Sequence, residues 1–334
     1  MIEIPSTETP PLVSVLVPSY NHEKYVVDCL ESIRGLDYPN LELIVSDDAS
    51  PDGTFELAGK WIAQNRARFA RAEAIRQPVN LGIVRNLQFL FEQAQGEYIV
   101  YLASDDCLVP SSVRCRLQVL QEDGSIDAVF GNAEHFLPDG TVLKTRFIPP
   151  HLAAQLSVRA VMLSSLILNW HVPGPVMMLR REATLPGGSL GRLPEELQGE
   201  DEYIYTRLAA LRKLAFVDTV VARWRATPAS LSNPLQRNYF TLRYTVESDR
   251  RNRPLIHGMD RLALDVRMAD AAVILQRRNR WQFLGRRLFF RACLAQLRLL
   301  LRIRTWIARR IRRRSRRGSG SRFILSRTAR GPQG

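Results

Sequence analysis

The run Tyr98-Ile99-Val100-Tyr101-Leu102-Ala103-Ser104 ends abruptly in two adjacent carboxylates, Asp105 and Asp106. A short apolar run bounded by turn signals predicts a strand buried on both faces, as in a parallel sheet. Ligands of open α/β sheets bind just beyond the carboxyl ends of the strands. The chain therefore delivers hard oxygen donors to that rim, and such donors suit Mg²⁺ or Mn²⁺ arriving with substrate phosphates. A helix N-cap explains one Asp there, since Val109-Pro110 opens a helical run. It does not explain two, with a second pair, Asp47-Asp48, on an earlier strand.

The surrounding pattern sets the fold class. Val13 to Val17 is a β-branched run closed by Pro18, and residues 23–33 carry Val26, Val27, Leu30 and Ile33 at helical spacing. A strand over 41–45, a helix over 55–69, a short strand over 72–76 and a helix over 83–95 follow. Such alternation predicts an α/β fold with a mostly parallel, doubly wound sheet flanked by helices. Beyond Asp106 the pattern predicts a helix over 110–120, a strand over 127–137 and a hairpin partner over 142–147. After residue 150 the alternation fades, with helices over 156–167 and 200–211 and a strand over 216–224. The stretch 186–199 is rich in Gly and Pro and is expected to be a mobile lid.

Charge divides the chain differently. The net charge is +14, but 19 Arg and no acidic residue follow position 275, so residues 1–275 carry −5. Between Trp281 and Ile311, Leu284, Leu288, Leu297, Leu300 and Trp306 interleave with Arg, and Arg309 to Arg317 holds seven Arg in nine positions. That pattern predicts a basic amphipathic helix lying on an anionic membrane surface. A solvated basic tail or a nucleic-acid patch is the competing reading; large apolar residues among the Arg, and the absence of a nucleic-acid motif, argue against nucleic acid. No apolar stretch is long enough for a signal peptide or a membrane span. Four cysteines without paired or metal-ligand spacing fit a reducing, cytoplasmic compartment.

Four motifs taken together carry a resemblance. Val15-Leu16-Val17-Pro18-Ser19-Tyr20-Asn21, Val45-Ser46-Asp47-Asp48-Ala49-Ser50-Pro51-Asp52-Gly53-Thr54, Asn80-Leu81-Gly82 with Arg85-Asn86, and Leu102-Ala103-Ser104-Asp105-Asp106 resemble, in order and spacing, the family 2 inverting glycosyltransferases of the GT-A type. Members of the bacterial cell-surface polysaccharide type are the nearest in pattern. The resemblance is close over 11–145, looser over 146–232, and does not cover the tail. It implies a GT-A domain over 11–235, with a nucleotide-binding half to 110 and an acceptor half after it. A helical extension over 236–280, the basic membrane-surface segment over 281–317 and a disordered end over 318–334 complete the expected organisation.

The resemblance also implies residue roles. Pro18 and Tyr20 would line the base pocket of a nucleotide-sugar donor, most simply a UDP-sugar, with Asp48 hydrogen-bonding the base and Arg85 close by. Asp105 corresponds to the metal-binding Asp of the family's Asp-any-Asp motif and Asp106 to the Asp that often follows it; Ala103 stands where the first Asp belongs. Gln198-Gly199-Glu200-Asp201-Glu202 resembles the Glu-Asp pair that opens the acceptor-side helix, which makes Asp201 the candidate base and Glu200 its companion. Helix-dipole complementarity is the alternative for that acidic stretch, and Glu195 and Glu196 are nearby competitors. Trp224-Arg225-Ala226-Thr227 resembles a segment in which Arg225 contacts the diphosphate; Thr227 replaces a His, for which His171 is a possible substitute. The implied reaction is metal-dependent inverting sugar transfer to a glycan or polyprenol-linked acceptor at the cytosolic membrane face. Two rivals stand beside it: a non-catalytic GT-A-like nucleotide-sugar binder, favoured by Ala103 and Thr227, and a nucleotidyltransferase, disfavoured because Ser19-Tyr20-Asn21-His22 is not a Gly-rich phosphate loop.

Overall fold

The computed structural model describes residues 9–197, 199–227, 240–276 and 280–320. Three strands predicted from apolar runs form the centre of the sheet: β1 (Val13–Ser19), β2 (Leu41–Asp47) and β4 (Tyr98–Tyr101), every residue of them buried. With β3 (Arg71–Arg76) they pair in parallel in the order β3-β2-β1-β4. Helices α1 (Val26–Arg34), α2 (Thr54–Asn65) and α3 (Ile83–Gln93) make the crossovers. Each carries apolar residues at three- and four-residue spacing, such as Val84, Leu87, Leu90 and Phe91 on α3, and these turn inward.

The sheet continues past β4 with mixed polarity. β5 (Cys107–Leu108) precedes α4 (Ser112–Glu122), and β6 (Ala128–Phe136) forms the predicted hairpin with β7 (Val142–Lys144). β8 (Met177–Arg180) lies antiparallel between β4 and β6, and β9 (Leu214–Arg225) runs parallel to β6 and antiparallel to β5. The helix expected over 156–167 is two helices, α5 (Pro150–Leu156) and α6 (Arg159–Leu168), broken at Ser157-Val158. α7 (Asp201–Ala210) then leads back to β9.

Of the segment 186–199 expected as a mobile lid, residues 186–197 are docked on the body. Leu190, Leu193 and Leu197 are buried in the main core. The Leu193 N–H donates to the buried Gln88 side chain of α3 at 2.9 Å. Three apolar anchors explain this: the Gly and Pro between them shape the path while Leu side chains hold it down.

The helices after β9 are α8 (Phe240–Asn252), α9 (Gly258–Gln276) and α10 (Arg280–Gly320). They pack on α6 and α7: Asn252 donates to the Tyr203 carbonyl of α7 at 3.1 Å, and Arg267 of α9 pairs with the buried Asp249 of α8. α10 lays Leu297, Leu301 and Thr305 against α6 and α9. Arg298 caps the Leu168 carbonyl at 3.0 Å, and Arg304 reaches the Ala160 carbonyl at 3.2 Å. On the opposite side of that helix Leu299, Leu300, Ile303, Trp306 and Ile307 are exposed. α10 runs to Gly320, so residues 318–320 of the end expected to be disordered over 318–334 are helical, and 321–334 lie outside the described residues.

One buried charge holds the sheet at the edge away from the carboxyl ends. Glu42 of β2 is fully buried and accepts hydrogen bonds from Ser14, from Arg71 at 2.7 Å and from the Gln95 N–H at 2.9 Å. Removing one partner of a buried ion pair leaves the rest uncompensated. Glu42→Ala is expected to lower the unfolding free energy by about 3 kcal/mol in urea denaturation, with nucleotide affinity of the folded protein unchanged.

Candidate active site

Four loops converge at the carboxyl ends of the parallel strands, stitched by hydrogen bonds between segments distant in sequence. Asp48 N–H donates to the Ser19 carbonyl at 2.8 Å, and Asn21 N–H to Ser50 Oγ at 2.9 Å. Asn21 and Ala49 both take φ 58°, a left-handed conformation that folds each loop tightly over its strand end. Asp47 is consumed in this scaffold, accepting from the backbone N–H and hydroxyl of Ser50.

Asp48 is buried, and its two oxygens accept the N–H groups of Leu81 and Gly82 at 2.7 and 2.9 Å. Gly82 takes φ 80°, where a side chain is strained, and directly precedes α3. Asn86, one turn along, is buried and ties α3 back to Ser46 of β2. The paired carboxylate and the Asn-Leu-Gly turn are therefore one unit, placing Asp48 and Arg85 on the same side of the rim. The Arg85 side chain is open and lies 3.3 Å from Glu195 of the docked 186–197 segment. Pro18 is buried at the end of β1, while Tyr20 stands 45% exposed above it.

The opening motif resolves its two carboxylates. Asp106 N–H donates to the Ala103 carbonyl at 3.0 Å, closing a turn after β4. That turn sends Asp106 inward, 3% exposed, where it accepts the Arg225 N–H at 2.8 Å. Burial, then the neighbouring Asp105 charge, push the Asp106 carboxyl well above the usual carboxylate range. Asp105 remains half-buried at the open side, its Oδ2 3.8 Å from His22 Nε2. Of the two acids assigned to metal, only Asp105 faces the rim.

Arg225 is engaged beneath this turn. Its Nε donates to the Asp105 carbonyl at 2.7 Å, its Nη2 lies 3.2 Å from Asp28 of α1, and its guanidinium sits over Phe136 and Tyr25. At 4% exposed it is a strut of the Asp105 loop, whereas the sequence assigns it to the diphosphate. Residues 228–232 of the same segment lie outside the described residues, as does Gln198.

Glu200 N-terminally flanks α7, and Asp201 opens it. The two competitors are taken: Glu195 pairs with Arg85 and Arg192, and Glu196 with Arg251 at 3.0 Å. Asp201 Oδ1 is a buried oxygen without a hydrogen-bond partner among the described residues. Burial raises its proton affinity well above normal and the charges of Glu200 and Glu202 raise it further, while the neighbouring Tyr101 hydroxyl, which also approaches Met177 Sδ at 3.9 Å, opposes them. Glu200 is raised by burial as well. Tyr101 is the last residue of β4, so the strand that delivers Asp105 also supports Asp201. Asp201 is near enough to oppose ionisation of Asp106.

Sequence reasoning missed Tyr101, whose place at a buried strand end signals only core. It also missed Gly174, whose backbone lies against Asp201: a Cβ there would sit 3.8 Å from Oδ2. His171 stacks on Phe147 at 4.6 Å, in a cluster with Trp224 and His135.

The donor set bears on which cation fits. Among the described residues no three His, Cys, Asp or Glu side chains converge in a metal-binding cluster. A closed tetrahedral zinc centre does not fit that sparse set. An octahedral Mg²⁺ or Mn²⁺ fits, because such ions take one or two protein carboxylates and complete their shell with phosphates and water.

Known proteins resemble this chain in sequence and in fold. Residues 14–184 match glycosyl transferase family 2. The chain is 37% identical over 125 residues to the glycosyltransferase GlyG of Streptococcus pneumoniae, covering 36% of this chain and 38% of that protein. It covers 17% of the chondroitin synthase of Pasteurella multocida, at 28% identity over 166 residues. The chain thus spans well under half the length of these curated relatives. Among solved structures, Staphylococcus aureus TarS in complex with UDP-GlcNAc superposes with a TM-score of 0.58 at 16% identity, over 85% of this chain and 81% of that one. The mannosyltransferase PcManGT of Pyrobaculum calidifontis, in complex with GDP-Man and Mn²⁺, gives 0.56 at 19% identity, over 90% and 86%. These likenesses carry the GT-A fold, and the family match covers the strands and loops that build the rim: the chain belongs to glycosyl transferase family 2.

Proposed function

We propose that this chain transfers a sugar, with inversion, from a nucleotide-sugar donor to a hydroxyl of a glycan or lipid-linked acceptor. The observation that carries the reading is the meeting of two unlike carboxylates at one end of β4: Asp105 open at the rim, and Asp201 with an unpartnered buried oxygen. Tyr20 and Pro18 offer a surface for the base, and the Asp48-held turn brings α3 and Arg85 beside it. A divalent cation bound at Asp105 would act as a Lewis acid on the departing diphosphate. Asp201 accepts the proton of the attacking hydroxyl, and its unpartnered oxygen is the group available for that hydrogen bond. Glu200 lies beside it and holds its proton affinity up. UDP-sugar is the donor we favour, since TarS binds UDP-GlcNAc; the GDP-Man complex of PcManGT leaves GDP-sugars as the second choice. The non-catalytic alternative explains Ala103 and Thr227, but it gives no reason for a buried, unpartnered carboxylate oxygen.

The acceptor side suggests where the reaction occurs. No helix among the described residues is long and apolar enough to cross a membrane. α10 instead packs one face on α6 and α9 and leaves Leu300, Ile303, Trp306 and Ile307 exposed, flanked by Arg. We propose that this face rests on anionic lipid at the cytosolic side, presenting a polyprenol-linked acceptor to a peripheral enzyme.

Asp201→Asn is expected to reduce turnover about 10²- to 10⁴-fold while UDP still binds in calorimetry; full activity would move the base elsewhere. Because the proton affinity of Asp201 is raised, the acidic limb of kcat/KM is expected above the ordinary carboxylate value of about 4. Activity rises with pH as the base ionises. Tyr101→Phe removes the neighbouring hydroxyl that favours ionised Asp201 and is expected to move that limb to higher pH. Leu300→Glu with Trp306→Glu is expected to weaken co-sedimentation with phosphatidylglycerol vesicles about tenfold or more, with turnover on a soluble acceptor retained.

A further inference from the structure

We propose that His22 is a second protein ligand, beside Asp105, for the divalent cation at the diphosphate rim. This rests on the reading of a metal-bound nucleotide-sugar donor given above. The β4 loop offers the cation little: Ala103 has no donor atom, and Asp106 is turned inward onto Arg225. Asp105 alone reaches the rim from that side. His22, in the loop after β1, faces it from the other.

The position of His22 is fixed by its backbone. Its N–H donates to Thr54 Oγ1 at 2.9 Å, and its carbonyl accepts the N–H groups of Tyr25 and Val26, each at 2.9 Å, where α1 begins. The ring is held as well. Nδ1 lies 2.8 Å from Ser104 Oγ, and Ser104 Oγ lies 2.8 Å from Ser19 Oγ. Both serines are buried. Ser104 has one hydroxyl proton; donated to Ser19, it leaves Ser104 to accept from the ring. In the neutral ring this places the imidazole proton on Nδ1 and leaves the Nε2 lone pair for a ligand.

That lone pair faces a carboxylate. Nε2 is 3.8 Å from Asp105 Oδ2, beyond hydrogen-bond distance, and both side chains are partly exposed, at 27% and 13%. Two electron-pair donors at that separation repel unless a cation sits between them. A metal-ligating His characteristically donates its other ring N–H to a fixed partner that sets tautomer and orientation. Ser104 and Ser19 supply that arrangement here. An imidazole donor suits first-row transition ions better than Mg²⁺, so the pair favours Mn²⁺.

The test uses pulsed electron paramagnetic resonance of Mn²⁺ bound to the full chain with UDP. Directly ligated imidazole nitrogen gives a ¹⁴N modulation, and uniform ¹⁵N-histidine labelling must convert it to the ¹⁵N pattern. The chain has five His, so His22→Gln assigns the signal. The expected result is histidine coupling in the wild type, its loss in His22→Gln, and Mn²⁺ affinity weakened about tenfold or more with UDP present, with a smaller change for Mg²⁺. The labelled wild type needs no variant to fold. Mn²⁺ bound with UDP, dependent on Asp105 but showing no histidine coupling, overturns the assignment of His22 alone. Coupling that persists in His22→Gln does the same. Failure of the wild type to bind Mn²⁺ with UDP overturns this ligand set together with the metal-dependent reading.

Discussion

Arg225 joins the two halves of the sheet at the place where the candidate site forms. Its N–H holds the Asp106 carboxylate, its Nε the Asp105 carbonyl, and its guanidinium reaches Asp28 across the ring faces of Phe136 and Tyr25. β9 thereby grips the loop after β4, and through Asp28 it grips α1. A buried guanidinium with several acceptors is costly to strip of a partner, by about 3–5 kcal/mol. The turn that separates an inward Asp106 from an outward Asp105 depends on this contact. An Arg at that position is read most easily as a ligand-binding cation. Its burial makes it the support on which Asp105, the proposed ligand-binding carboxylate, stands.

The same end of the molecule concentrates acids. Asp105, Asp106, Glu200, Asp201 and Glu202 lie close enough for several to resist ionisation. For Asp106 and Asp201 the folded-state proton affinity is raised, chiefly by burial. The stability they contribute is complete below the ordinary carboxylate range and is lost as pH rises through their raised values. Ionising these groups in the folded site therefore carries a cost of crowded negative charge. On the proposed reading, a divalent cation at the rim would counter that cost and so couple donor binding to the state of Asp201. Tyr101 makes the link physical, since one strand ends in the hydroxyl that serves Asp201 and the turn that presents Asp105.

Much of this was legible in sequence where local pattern and burial agree. The apolar runs 13–17, 41–45 and 98–102 could only be central parallel strands, and the Asp pairs at their ends fell on one rim. The rest depended on contacts between distant segments. β5 is two residues long and exists because β9 pairs with it. Segment 186–199 has the composition of a mobile loop, yet three Leu and the Gln88 amide pin it to α3. Arg225 and Arg85 look alike as site cations, and only packing distinguishes a buried strut from an open side chain. His22 carries no signal in a motif lacking its partner; Ser104 and Ser19, far apart in sequence, give its ring a direction.

The most direct test of the account is calorimetric titration of UDP into the wild type and Asp105→Asn, each with Mn²⁺ and with EDTA. If Asp105 presents the cation to the diphosphate, wild-type affinity falls about tenfold or more on chelation, as for loss of a site's metal support. Asp105→Asn then shows the weakened value in both conditions. Equal UDP affinity in all four titrations would contradict the account.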